Sequence, residues 1–227
     1  MRVYTAMLGA LALLIVVLWA TPAGTEHRWI REGGPIEGVT AATYIVVLAT
    51  ILARGGRDFW RRYWDLGLVP LVFLLRELDF DKRFTSAGIF TSRLYRNPSF
   101  PAREKAMGVI LIVLITIWIV AMVARHGREG IEQWRRRSPV AVGVVLVLAM
   151  TVTAFLLDGL DRKLRKIGVT VSPAISAKSE VVEECVELAV PWMMLALFVV
   201  SRPKKSESAS SIEWSSSHNT EPPRAGK

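Results

Sequence analysis

The chain is nearly without cysteine and has few histidines. Its single cysteine, Cys185, excludes an intrachain disulfide framework, a CxxC redox pair and an all-cysteine metal site. Only His27, His126 and His218 could supply imidazole. A three-histidine zinc centre would need all of them in one place. No CxxCH, GxSxG, HExxH or P-loop pattern occurs, so the common haem, hydrolase, zincin and nucleotide-binding signatures are excluded. What is present is apolar residue and positive charge. Of the 227 residues 52% are hydrophobic, the net charge is +9 and the mean hydropathy is +0.34. A positive hydropathy beside 22% charged residues means that apolar and charged residues are segregated along the chain. That is the composition of a small polytopic membrane protein. At about 20 residues per span, the length permits six helices and excludes ten or more.

Six stretches read as membrane helices: 3–20, 37–53, a third around 66–75, 106–124, 139–157 and 181–201. They lack period-two alternation and are too long for barrel strands, so the fold class is all-α, a polytopic membrane helix bundle. The third stretch is the weakest, since Asp65, Arg76 and Glu77 flank an apolar run of ten residues. A run that short also fits a re-entrant segment. Trp60 and Trp64 anchor one end of it, and Pro70 predicts a kink. Pro191 predicts a bend in the sixth. The first stretch has a rival reading as a signal peptide cleaved after Ala23. The domain organisation is thus a membrane domain over 1–201 and a serine-rich tail over 202–227, too polar to bury a core and expected to be disordered.

Basic residues set the orientation. Arg54, Arg57, Arg61 and Arg62 crowd one short connection, Arg125, Arg128 and Arg135–Arg137 another, and Arg202, Lys204 and Lys205 follow the last span. On alternating spans these fall on one side, the cytoplasmic one, with both termini. The basic clusters then mark topology and lipid headgroups rather than a nucleic-acid partner. His27 lies outside and His126 and His218 inside, so no three-histidine centre can form.

The acids carry the candidate site. Glu37 opens the second helix, and Arg76-Glu77-Leu78-Asp79 closes the third. Asp158 and Asp161 close the fifth, and Glu180, Glu183, Glu184 and Glu187 open the sixth. Alternating spans bring all four places to one face of the membrane. Glu180, Glu184 and Glu187 follow at i, i+4 and i+7, one stripe of a helix. On a helix starting near 181, Glu187 lies roughly 8–10 Å inside it. Carboxylates there need protonation, cationic partners, water or a metal.

Three readings of the cluster compete. The first is an ion-pair network, with Arg76 and Arg162 as counter-charges and Asp158–Arg162 and Asp161–Arg165 as i, i+4 pairs. The second is a divalent-metal site built from Glu37, Glu77, Asp79, Asp158, Glu184 and Glu187, with His27 as an extra ligand. The third is proton or cation handling, because crowded carboxylates raise one another's pKa. Cys185 beside Glu184 reads as an inert thiol.

The stretches Glu32–Glu37, Arg76–Phe84 and Glu183–Glu187 resemble motifs of a family of small bacterial inner-membrane proteins without an assigned activity. The resemblance covers most of the chain. It implies a bacterial inner-membrane setting and no chemistry. Whether the chain is an enzyme stays open. An enzyme would carry out metal-assisted hydrolysis or transfer on a lipid or periplasmic substrate. A proton- or cation-coupled transporter of six spans would be a homo-oligomer, a homodimer, with Glu187 and Glu77 as coupling carboxylates. A structural protein would keep the acids ion-paired. In each case the lipid bilayer is the partner.

Overall fold

A computed structural model describes residues 1–20 and 34–201. The cleavage site after Ala23, His27, Glu32 and the tail 202–227 lie outside these. All regular structure among the described residues is helical. In chain order the helices are α1 (Arg2–Ala20), α2 (Pro35–Arg54), α3 (Gly56–Gly67), α4 (Val69–Glu77), α5 (Ser92–Arg96), α6 (Ala102–Arg135), α7 (Pro139–Leu157), α8 (Leu160–Lys166) and α9 (Pro173–Val200). A short 3₁₀ turn, Phe80–Arg83, follows α4.

Four helices, α1, α2, α6 and α7, are long and apolar enough to cross a membrane. Five of their threonines are satisfied within the helix. The hydroxyls of Thr40, Thr43, Thr50, Thr116 and Thr153 each donate to the carbonyl four residues earlier, at 2.7–3.0 Å. That pairs these threonine hydroxyls in an apolar medium, while the buried Tyr4 hydroxyl of α1 and the Trp118 indole N–H of α6 have no hydrogen-bond partner among the described residues. The remaining two expected segments differ from this pattern. The third is broken at Leu68 into α3 and α4. Pro70 sits in the first turn of α4, where a missing N–H costs nothing. The sixth is α9, long enough but carrying Glu183, Glu184 and Glu187.

α9 is the centre of the bundle and packs on α7, α2 and α1, while α2 also packs on α4. Its buried residues include Val186, Val190, Met193, Met194 and Phe198, and the helix continues through buried Pro191. α2 answers with Thr40, Tyr44, Val47 and Ile51, the i, i+4, i+7, i+11 stripe of a core-facing helix. Gly143 of α7 lets Tyr4 of α1 and Leu197 of α9 approach closely, since a Cβ there would lie 2.5 Å from the Tyr4 hydroxyl.

Contacts at the middle and at the C-terminal end of α9 fix the direction of the third segment. The Phe59 ring meets that of Phe198 at 5.5 Å, and Arg76 reaches Glu187 at 2.8 Å. α3–α4 therefore advances along α9 in the opposite sense and does not turn back. The end with Glu187, Arg76 and Asp158 is called the acidic end below. The end with Phe198, Arg54, Arg57, Arg61 and Arg62 is the basic end.

Two helix limits depart from the sequence reading. α6 runs to Arg135, so the 125–138 stretch is three more turns of helix and a short corner. Its Arg, Glu and Gln residues are good helix formers, and Arg136 bonds Glu132 at 2.6 Å. α9 starts at Pro173, capped by Ser172, whose hydroxyl accepts from the Ile175 N–H. Glu180–Glu187 consequently lie in mid-helix rather than at its start. Glu187 is roughly 20 Å from the helix start at 1.5 Å per residue, not 8–10 Å.

Candidate functional site

The acidic end is assembled by three helices. α2 brings Glu37 on the stripe it shares with Tyr44. α4 ends in Arg76 and Glu77. α9 contributes Glu183, Glu184 and Glu187. The Trp19 indole N–H donates to the Lys178 carbonyl at 3.3 Å, tying the end of α1 to the polar first turns of α9. Val181 and Cys185 are buried against Leu11, Leu14, Ile15, Leu18 and Ile36, so this thiol belongs to an apolar contact.

One ion pair lies inside the cluster. Arg76 Nη2 donates to Glu187 Oε1 at 2.8 Å, with the Glu187 side chain only 14% exposed. Glu77 lies within electrostatic reach of Glu187, Arg76, Glu37 and Asp79. Glu184 lies within reach of Glu187, Glu77, Glu183 and Glu37. Glu37, Glu77, Glu184 and Glu187 are thus brought together, and Asp158 is close enough to act on Arg76 and Glu183. Among the described residues, Glu77, Glu183 and Glu184 make no hydrogen bond and no ion pair.

Other expected members point elsewhere. Asp79 takes a left-handed conformation, φ 47°, and accepts from Lys82 at 2.7 Å on an exposed turn. Arg162 folds back on Asp158 at 3.6 Å, and Arg165 bonds Asp161 at 3.0 Å. Arg162 is therefore a partner of the α7–α8 corner rather than a counter-charge to the glutamates. Asp81 closes its own loop by accepting the Ile89 N–H at 2.8 Å. No group of three or more His, Cys, Asp or Glu side chains among the described residues is arranged to hold a metal ion, and His27 lies outside those residues.

Two features were not read from the sequence as part of a site. Tyr44 is 2% exposed and makes no hydrogen bond among the described residues, yet it lies near Glu77, Glu187 and Arg76. Helical side chains lean toward the helix N-terminus, which aims its hydroxyl at the acids. Its signal in the sequence was the seven-residue spacing from Glu37. The second lies at the basic end. Asp65 of α3, 4% exposed, holds His126 of α6 through both carboxylate oxygens, at 2.9 and 3.0 Å.

No family model matches the chain, and neither the curated proteins nor the solved structures contain a match to it. The apolar helices define a membrane protein. Nothing more specific comes from likeness, so any functional reading rests on the geometry of the two ends.

Proposed function

We propose that the chain is a multi-pass protein of the bacterial inner membrane, with both termini in the cytoplasm. Its acid-lined site, at the outer ends of α2 and α4 against the middle of α9, takes up a cationic ligand. The observation that carries this reading is the surplus of carboxylate. Glu77, Glu183 and Glu184 have no hydrogen bond or ion pair among the described residues. The Tyr44 hydroxyl, which makes no hydrogen bond among the described residues, lies beside them. Charge in an apolar surrounding requires compensation, and a bound cation supplies it. The orientation is supported by the arginines gathered at the basic end.

A second reading, in which the acids are only structural, is favoured by the Arg76–Glu187, Asp158–Arg162 and Asp161–Arg165 pairs. Cation-dependent stabilisation of the full chain in lipid nanodiscs separates the two. Magnesium, manganese and ethylammonium are each titrated against a choline chloride control of equal ionic strength. A cation site predicts a rise in unfolding temperature with at least one of them. Glu77→Gln and Glu184→Gln then abolish that rise and leave the apo protein folded. If no cation acts beyond the control, the site reading fails and the structural one stands.

A further inference from the structure

We propose that the contact between α3 and α6 is a protonation-controlled latch, which fastens the basic-end half of α6 to the bundle when His126 is charged. The case begins with how little else holds α6. Of its 34 residues only Gly108 is buried. Gly108 lies beneath Tyr95 and Leu94, where a Cβ would be 2.5 Å from the Tyr95 hydroxyl. His126 is five helical turns further on, so it shares the face of Gly108. Between them on that face, Ile119 is 44% exposed. Ile112, Ile115, Trp118 and Met122 beside it are half-buried and α6 also touches α7, so the apolar hold along the helix is partial and its polar fixing is at His126.

The second fixing is polar. His126 Nε2 faces both Asp65 oxygens, Leu66 N–H donates to Asp65 Oδ1 at 3.1 Å, and Arg125 Nη1 stands 3.8 Å from Oδ2. The Tyr63 ring lies against the imidazole at 5.5 Å. One turn along α6, Glu129 accepts from Arg62 at 3.1 Å and from the Tyr63 hydroxyl at 3.3 Å. The charged and titratable groups around the imidazole are therefore Asp65, Arg62 and Tyr63 from α3, with Arg125 and Glu129 from its own helix.

Histidine is the side chain that changes charge near neutral pH. A neutral imidazole gives the Asp65 carboxylate a hydrogen bond from Nε2 that is charge-assisted on the acceptor side only. A protonated one charges both partners and adds the attraction of an ion pair. Lowering the pH tightens the latch. Raising it loosens the latch and leaves the Glu129 contacts with Arg62 and Tyr63 to hold this half of α6.

Spin labels at Asp58→Cys on α3 and Arg128→Cys on α6 report the separation in full-length protein in nanodiscs, in a Cys185→Ala background. The expected result is one short distance population near pH 5.5 and a second, longer one near pH 8.5. His126→Gln retains a neutral donor at every pH and is expected to give the same distribution at both. Identical distributions with His126 in place would overturn the latch. So would a pH response that survives in His126→Gln. The first arm keeps every side chain of the latch and does not depend on a variant folding.

Discussion

Carboxylates at the basic end are met by donors. Asp65 faces His126, Arg125 and the Leu66 N–H, and Glu129 faces Arg62, the Tyr63 hydroxyl and Gln133. At the acidic end Arg76 serves Glu187, while Glu77, Glu183 and Glu184 go without a partner among the described residues. The same residue type therefore does two things in one molecule. Where arginines crowd the ends of helices, a carboxylate becomes a tie between two of them. Where the described residues offer several carboxylates one arginine, Glu77, Glu183 and Glu184 are left to protonation, water or a cation. The difference lies in pairing, because Lys82, Arg162 and Arg165 near the acidic end are taken by Asp79, Asp158 and Asp161.

The largest effect that would break this contrast is expected at Asp65. Asp65→Asn leaves His126 and Arg125 facing a neutral amide at a buried position, and is expected to cost about 3 kcal/mol of stability. Chemical unfolding in detergent micelles measures it. A change under about 1 kcal/mol would mean that the tie contributes little and that the two ends do not differ in kind. Next comes packing at the same end. Gly143→Ala would press a Cβ against the Tyr4 hydroxyl and Leu197, and is expected to cost about 2 kcal/mol by overpacking. Its readout is the same unfolding midpoint. No loss would show that α1 is free to move away from α7.

A pair of substitutions on α9 sharpens the comparison by sign. Glu187→Gln strips Arg76 of its partner and is expected to destabilise by about 1 kcal/mol, since Arg76 is half-exposed and water screens the loss. Glu184→Gln removes a carboxyl group with no hydrogen bond or ion pair among the described residues and several acidic neighbours. It is expected to stabilise the ligand-free protein, by about 1 kcal/mol. Equal losses from both would show that Glu184 has a cationic partner, and the surplus of carboxylate would vanish.

Legibility followed the same division. The limits of α1, α2 and α7 were readable to within two residues because a long apolar run announces its own length. The meeting of Glu37, Glu77, Glu184 and Glu187 was readable because it depends only on the parity of the spans between them. The start of α9 was not, although Ser172-Pro173 is an ordinary helix-opening pair, because polar residues up to Glu180 masked the helix behind a hydropathy boundary. Asp65–His126 was beyond reach for a different reason. Its partners are 61 residues apart, and His126 stood in a stretch read as a loop because the apolar run ended two residues before it. Side-chain pairing between helices requires rotational register, which parity does not supply.

The smallest expected effects compare two surface pairs of the same geometry. Arg136–Glu132 at the basic end and Arg165–Asp161 at the acidic end are both i, i+4 contacts, at 2.6 and 3.0 Å, with arginines 74% and 71% exposed. Solvent screens both, so Arg136→Ala and Arg165→Ala are each expected to change stability by no more than about 0.5 kcal/mol. The informative quantity is their difference, read from paired unfolding curves at low and high salt. If the acidic end carries unbalanced charge, Arg165 is attracted by the carboxylates beyond its own partner. Its loss should then be the larger of the two at low salt and should converge on that of Arg136 as salt is added. Matching losses at every salt concentration would mean that the field of the cluster does not extend past Asp158 to the α7–α8 corner, and the charge of the glutamates would have to be neutralised within the bundle itself.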